Sequence, residues 1–266
     1  MLDQVVEVLN SVRNRTPLVQ AITNYVTIND CANILICFGA SPAMCEAAEE
    51  VEEFAGVASS LYLNLGTLTE EQHRAAVLAA RKASEYGKPI VLDPVACGAI
   101  SRKKEVSREL LDSARISVIK GNAGEIKSLA GWAGKVRGDD SVDDGEDAVE
   151  ACQSLALQYR TVVAMTGKTD IITDGRRTCL VDNGSEMLSL ITGSGCMVGA
   201  LVAAAAAVSD DQVVSAAAAL SAMGVAAESA AEVAGGLPGS FRIKLFDAVY
   251  CLTESEIRRR GLVRWL

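Results

Sequence analysis

Five times before residue 168 the chain runs through a short apolar stretch and stops on polar residues or glycine. Pro17-Leu18-Val19-Gln20 leads to Thr23-Asn24-Tyr25, and residues 61–65 lead to Gly66-Thr67. Ile90-Val91-Leu92 ends in Asp93-Pro94, residues 116–119 end in Lys120-Gly121-Asn122, and residues 161–165 end in Thr166-Gly167. Helical patterns lie between several of them, the longest over residues 69–86 with Gly87 as its stop. Strands alternating with helices predict a mainly parallel sheet covered on both faces. Such sheets bind ligands beyond the carboxyl ends of their strands. Asn24, Gly66, Asp93, Asn122 and Thr166, distant in sequence, are therefore expected to line one edge together.

A sixth element belongs at that edge. Thr192-Gly193-Ser194-Gly195-Cys196-Met197 enters a run of Ala, Val and Leu too apolar for a surface loop. It reads as a tight turn feeding the N-terminus of a buried helix. The first N–H groups of a helix lack partners, and its dipole favours anions there. Gly193 and Gly195 let another molecule approach closely. A phosphate is the natural guest, although a plain strand-to-helix turn would look the same.

Composition narrows the chemistry. The chain has one histidine, His73, inside the polar start of the 69–86 helix, where a solvated surface is expected. Ser-His-Asp and Cys-His catalysis and histidine-rich metal sites lose their support. Eight cysteines without a C-x-x-C pair or an export signal predict reduced thiols in the cytoplasm. A net charge of −9 disfavours nucleic acid as a partner. No apolar run is read as the roughly 18 residues of a membrane span.

The remaining segments extend the same reading. Residues 1–13 predict an opening helix, Asn29-Asp30 caps a second through Leu35, and residues 51–58 form a third. The acidic stretch 138–150 fails as a calcium loop and is expected to be a solvated turn and helix start. Residues 170–190, with turns at Asp174-Gly175 and Asn183-Gly184, predict an antiparallel edge. Alanine-rich helices follow over 196–208 and 213–231, then one amphipathic helix from Pro238-Gly239 to about Arg260. No linker or repeat interrupts residues 1–266, which predicts a single domain.

Two motifs fail and one holds. Gly167-Lys168-Thr169 ends like a P-loop, but Val162 stands where the first glycine is required. Gly193-Ser194-Gly195 comes too late in the chain for a dinucleotide fingerprint. Asn122-Ala123-Gly124-Glu125 sets an amide and a carboxylate one turn apart at a helix start. Magnesium, which keeps most of its waters, could be held by Glu125 with Asp93. A capping arrangement of Asn122 with Glu125 is the alternative. With the glycine turn, the set favours magnesium-assisted phosphoryl transfer over acyl or redox chemistry.

Thr23-Asn24-Tyr25-Val26, Asn29-Asp30, Gly39-Ala40-Ser41-Pro42-Ala43-Met44, Asp93-Pro94-Val95, Gly121-Asn122-Ala123-Gly124-Glu125 and Thr192-Gly193-Ser194-Gly195-Cys196 resemble the hydroxyethylthiazole kinase family. The matching motifs run in order from about Pro17 to Phe241. The resemblance implies a ribokinase-like three-layer α/β fold and a homotrimer with active sites at subunit interfaces. It implies transfer of the γ-phosphate of ATP to the primary alcohol of 4-methyl-5-(2-hydroxyethyl)thiazole, in thiamine salvage. It further implies that Met44, Gly193 and Asn24 serve the thiazole, that Lys120, Thr166, Asn122 and Gly195 serve ATP, and that Asp93 and Glu125 serve Mg²⁺. Cys196 would face the attacking hydroxyl as its base, with buried packing as the bland alternative. Lys120 stands where arginine is usual, Gln20 replaces a common histidine, and Cys97 and Ile100 alter the loop after Asp93. Other readings are a pyrimidine alcohol kinase, a lyase repairing hydrated nicotinamide nucleotides, or a nucleotide-binding regulator. Aspartate is usual in the lyase where Cys196 stands.

Overall fold

The structure is a computed structural model describing residues 1–132 and 145–266. Among the described residues, nine strands form one sheet in the order β2-β1-β3-β4-β5-β6-β7-β8-β9. The parallel part comprises β1 (Leu18–Ile22), β2 (Ser41–Ala43), β3 (Ser60–Asn64), β4 (Ile90–Asp93), β5 (Val118–Asn122) and β6 (Val162–Thr166). β7 (Asp170–Thr173), β8 (Thr178–Val181) and β9 (Val263–Trp265) continue it antiparallel. The expected mixed sheet with an antiparallel edge is what forms.

Helices close both faces, as the apolar-on-both-sides strands require. One face is covered by α1 (Leu2–Arg15), α2 (Ile28–Phe38), α8 (Ser194–Ala206), α9 (Gln212–Ala234), α10 (Pro238–Cys251) and α11 (Glu254–Arg260). The other carries α3 (Val51–Val57), α4 (Glu70–Glu85), α5 (Ser101–Ser113), α6 (Ala123–Leu129) and α7 (Gly145–Tyr159). Strand periodicity sorts the side chains: in β3, Leu61 and Leu63 enter the α3–α7 core while Tyr62 enters the α8–α9 core. Alanines let α8 and α9 approach closely, and Ala200, Ala203, Ala204, Ala216 and Ala219 are fully buried.

Several expectations need correction. α9 is long and apolar enough to cross a membrane by length and composition, so the sequence does hold one such run. It lies inside the fold, with 89% of its apolar window buried. The expected last helix is two, because Thr253 forms a capping box with Glu256 and restarts the helix after Leu252. Thr27, not Asn29-Asp30, is the N-cap of α2, and Asp30 is a buried partner of Arg242 inside it. The edge strands β2 and β9 were not expected. The acidic stretch lies outside the described residues up to 144.

Candidate active site

The strand ends meet as the topology requires. Asn24, Gly66, Asp93, Asn122, Thr166 and Gly193 line one cleft of about 400 Å³. Lys120, Glu125, Gly195 and Cys196 line it as well. Met44 is the one candidate that the chain does not bring there. It follows the edge strand β2, half-buried against the α8–α9 core.

The turn into α8 is built for close approach. Gly193 has φ +82°, and a Cβ there would stand 2.2 Å from Thr27 Cγ2, so only glycine fits. The N-cap of α8 is Gly193, which has no side chain to cap the helix, so the first N–H groups are not claimed by an N-cap side chain. Lys120 Nζ lies 3.1 Å from where a Gly195 Cβ would be. A helix N-terminus and an ammonium thus face the same point, which is an anion cradle.

Lys120 is also buried against Asp93, Nζ to Oδ2 at 3.3 Å. Asp93 Oδ2 further accepts from Tyr62 Oη and Asn64 Nδ2, each at 3.0 Å. Burial pushes the Asp93 carboxyl above its ordinary range, against the pull of Lys120. Burial works to lower the Lys120 ammonium, but Asp93 and Glu125 outweigh it and raise the group. The other oxygen, Asp93 Oδ1, is buried without a partner among the described residues. An orphaned carboxylate oxygen at a cleft carrying a second carboxylate fits a hard divalent cation such as magnesium.

At Asn122-Ala123-Gly124-Glu125 the capping box is present. Asn122 Oδ1 accepts from Glu125 N at 2.9 Å, and Glu125 Oε2 accepts from Asn122 N at 2.8 Å. Glu125 Oε1 accepts from Ala96 N at 2.9 Å, which ties down the loop after Asp93. Each oxygen keeps a free lone pair, so the capping box does not prevent the carboxylate from also accepting a metal ion. Glu125→Gln must turn its NH₂ toward one of these N–H groups, and about 1–3 kcal/mol of stability should be lost. Thermal unfolding checks that loss. In a magnesium titration, activity should fall and be partly restored at high concentration.

A groove of about 770 Å³ adjoins the cleft, sharing Thr166 and Gly195 with it, and passes Asp170. Burial raises the Asp170 carboxyl to about 7 even though its Oδ1 accepts from Gly167 N at 3.0 Å. The two recesses together suit an elongated ligand beside a small one. A larger depression, about 1030 Å³, lies at the opposite end of the strands among Lys88, Arg115 and Arg160. The C-terminal ends of α4, α7 and α8 meet there, and cations complement their carbonyls. The strand-end cleft is where the chemistry-bearing groups converge.

Residues 9–255 match the model of the hydroxyethylthiazole kinase family. The chain belongs to that family. It is 56% identical to the hydroxyethylthiazole kinase of Desulfitobacterium hafniense, over the whole of both chains. The hydroxyethylthiazole kinase structure from Pyrococcus horikoshii superposes with a TM-score of 0.91 at 43% identity, covering 98% of each chain. A Staphylococcus aureus pyridoxal kinase in complex with AMP-PCP and pyridoxal shares the fold, with a TM-score of 0.60 at 12% identity over 79% of this chain and 86% of that one. The fold is ribokinase-like, and a kinase family is a family of phosphotransferases that use ATP.

Within this hydroxyethylthiazole kinase family member, sequence reasoning missed Tyr62, Asn64 and Asp170. Tyr62 and Asn64 sit in an apolar strand, where alternation reads as plain core; the amide of Asn64 inside that run was the available signal. Cys196 is half-buried at the cleft, and its Sγ accepts from Asn24 Nδ2 at 3.3 Å. His73, expected on a solvated surface, is half-buried and bonded to Glu109 at 2.8 Å.

Proposed function

We propose that residues 1–266 act as one kinase domain transferring the γ-phosphoryl group of ATP to the primary alcohol of 4-methyl-5-(2-hydroxyethyl)thiazole, in the cytoplasm. The observation that carries this reading is the meeting of Cys196, the uncapped start of α8, Lys120 and two carboxylates in one cleft. ATP phosphates would lie along Gly195 and Lys120, with Thr166 and Asn122 at the adjoining strand ends. The thiazole would lie near Gly193 and Asn24. Asp93 and Glu125 would hold Mg²⁺, which supplies charge neutralisation on the phosphates when bound. The Cys196 sulfur, acting as the base, would receive the hydroxyl proton while the alcohol oxygen bonds to the γ-phosphorus. The bond from that phosphorus to the bridging oxygen breaks, and ADP leaves. In a loose transition state this proton moves late, so the base needs position more than strength.

The test is ADP release from ATP with the thiazole alcohol, with and without Mg²⁺. Turnover only with both is expected. Robust turnover in excess chelator, or turnover of a pyrimidine alcohol and none of the thiazole, overturns the reading.

We further propose a homotrimer whose interfaces complete the site. Tyr25 and Val26 beside the cleft are 56% and 60% exposed, and Ile243 and Tyr250 on α10 are 64% and 71% exposed. These apolar side chains, with Met44 after the edge strand, suit burial against a second copy. Light scattering should give three times the 27.9 kDa chain mass. A monomer with full activity would refute this.

A further inference from the structure

A buried polar relay runs beneath the cleft, and its central side chains do not line it. Tyr62 and Asn64, two apart on β3, both face α8. Asn64 Nδ2 donates to Asp93 Oδ2 at 3.0 Å and to Tyr62 Oη at 2.9 Å. Its Oδ1 accepts from Asn24 Nδ2 at 2.9 Å and from Gly66 N at 3.0 Å. Asn24 Nδ2 also donates to Cys196 Sγ, while Asn24 Oδ1 accepts from the backbone N–H of Val26 and Thr27, both at 3.1 Å. Every donor and acceptor of both amides is engaged, so neither can turn without breaking several bonds. Tyr62 Oη lies 2.9 Å from Cys196 O and 3.0 Å from Asp93 Oδ2. Gly199 makes room, since a Cβ there would stand 2.6 Å from that hydroxyl.

We infer that Asn64 is a positioning residue for the phosphoryl transfer proposed above, on which this inference rests. Through Asn24 it fixes where the Cys196 sulfur stands, and through its own amide it fixes the Asp93 carboxylate. The acceptor side and the phosphate side of the cleft are thereby held in one register. An N–H from Asn24 aimed at the sulfur also sets which side of the sulfur remains for the alcohol. Side chains held this way spare the reaction the cost of finding the productive geometry.

The experiment is a double-mutant cycle joined to a thiol-reactivity measurement. Asn64→Ala should lower kcat about 10- to 100-fold and raise KM for the thiazole alcohol, with KM for ATP within about threefold. In a Cys196→Ala background the same change should cost at least about threefold less in kcat than in the wild type, because no sulfur remains to be placed and only the loss through Asp93 persists. Separately, iodoacetamide labelling of Cys196, followed by peptide mass spectrometry without ATP or metal, should change rate at least about fivefold in Asn64→Ala and in Asn24→Ala. Additive kinetic losses, or an unchanged labelling rate, overturn the inference. Should Asn64→Ala not fold, Asn64→Ser enters the same cycle. If the wild-type protein does not phosphorylate the thiazole alcohol, the functional reading fails while the labelling rates still decide the relay.

Discussion

Cys196→Ala is expected to lower kcat by roughly 10²–10⁴ while leaving ATP affinity and stability nearly unchanged. The sulfur lies at the cleft where α8 begins, held by the Asn24 amide. In the proposed mechanism its removal takes away the group that would receive the alcohol proton. The reaction should survive, since the N–H groups at the start of α8 and Lys120 still stabilise the transferring charge. Cys196→Asp should retain more activity than alanine, because a carboxylate can accept from the same amide and take the same proton. Measuring kcat for the three proteins decides it. Alanine equal to the wild type would reduce the thiol to packing.

Lys120→Ala should be the most destabilising single change in the cleft. It strips Asp93 of its buried cation, and breaking such a pair costs about 3–5 kcal/mol. Tyr62 and Asn64 still donate to Asp93, which places the loss at the lower end. For a chain of this size a loss of about 3 kcal/mol corresponds to a Tm lower by roughly 6–12 °C. ATP affinity should fall as well, because the same ammonium stands beside Gly195. Lys120→Arg keeps the charge and separates the two effects: it should restore nucleotide binding even where packing is imperfect. Thermal unfolding and nucleotide titration of both variants check this. An alanine variant with the melting temperature of the wild type would show that the pair carries no net stability.

The residues that end strands were legible because strand ends are marked by a change of residue type, and topology brings such ends together. Asn24, Asp93, Asn122 and Thr166 were found that way, and Gly193 by the turn chemistry before an apolar helix. The groups that hold them in place were not legible. Tyr62 and Asn64 lie within a strand, and whether a buried polar side chain is satisfied depends on neighbours contributed by β4, α8 and the loop after β1. Glu125 was read as metal ligand or cap; the capping box is there, and the metal role awaits its titration. Met44 was assigned to the site by resemblance, and its place after an edge strand shows why spacing within one chain does not reach it. The strands β2 and β9 escaped because three-residue edge segments carry too little periodicity to read.

The face of the sheet that carries Val19, Tyr62 and Val91 is closed by α1 and α2 from one end of the chain and by α8, α9 and α10 from the other. That division sets a timetable for a chain made from the N-terminus onward. At about 5–20 residues per second, on the order of 10–30 s separate the emergence of β1 from that of α8. During that interval the parallel strands can pair and gather α3–α7 on one side, while the opposite side stays greasy and open to water. The last helices to leave the ribosome therefore act as the lid of the hydrophobic core, and α9, with 23 residues, is the longest of them. Factors that shield exposed surface on nascent chains should matter most before residue 234 emerges, and the strand-end cleft, whose Gly193 and Cys196 arrive with α8, cannot exist until that shielding has been released.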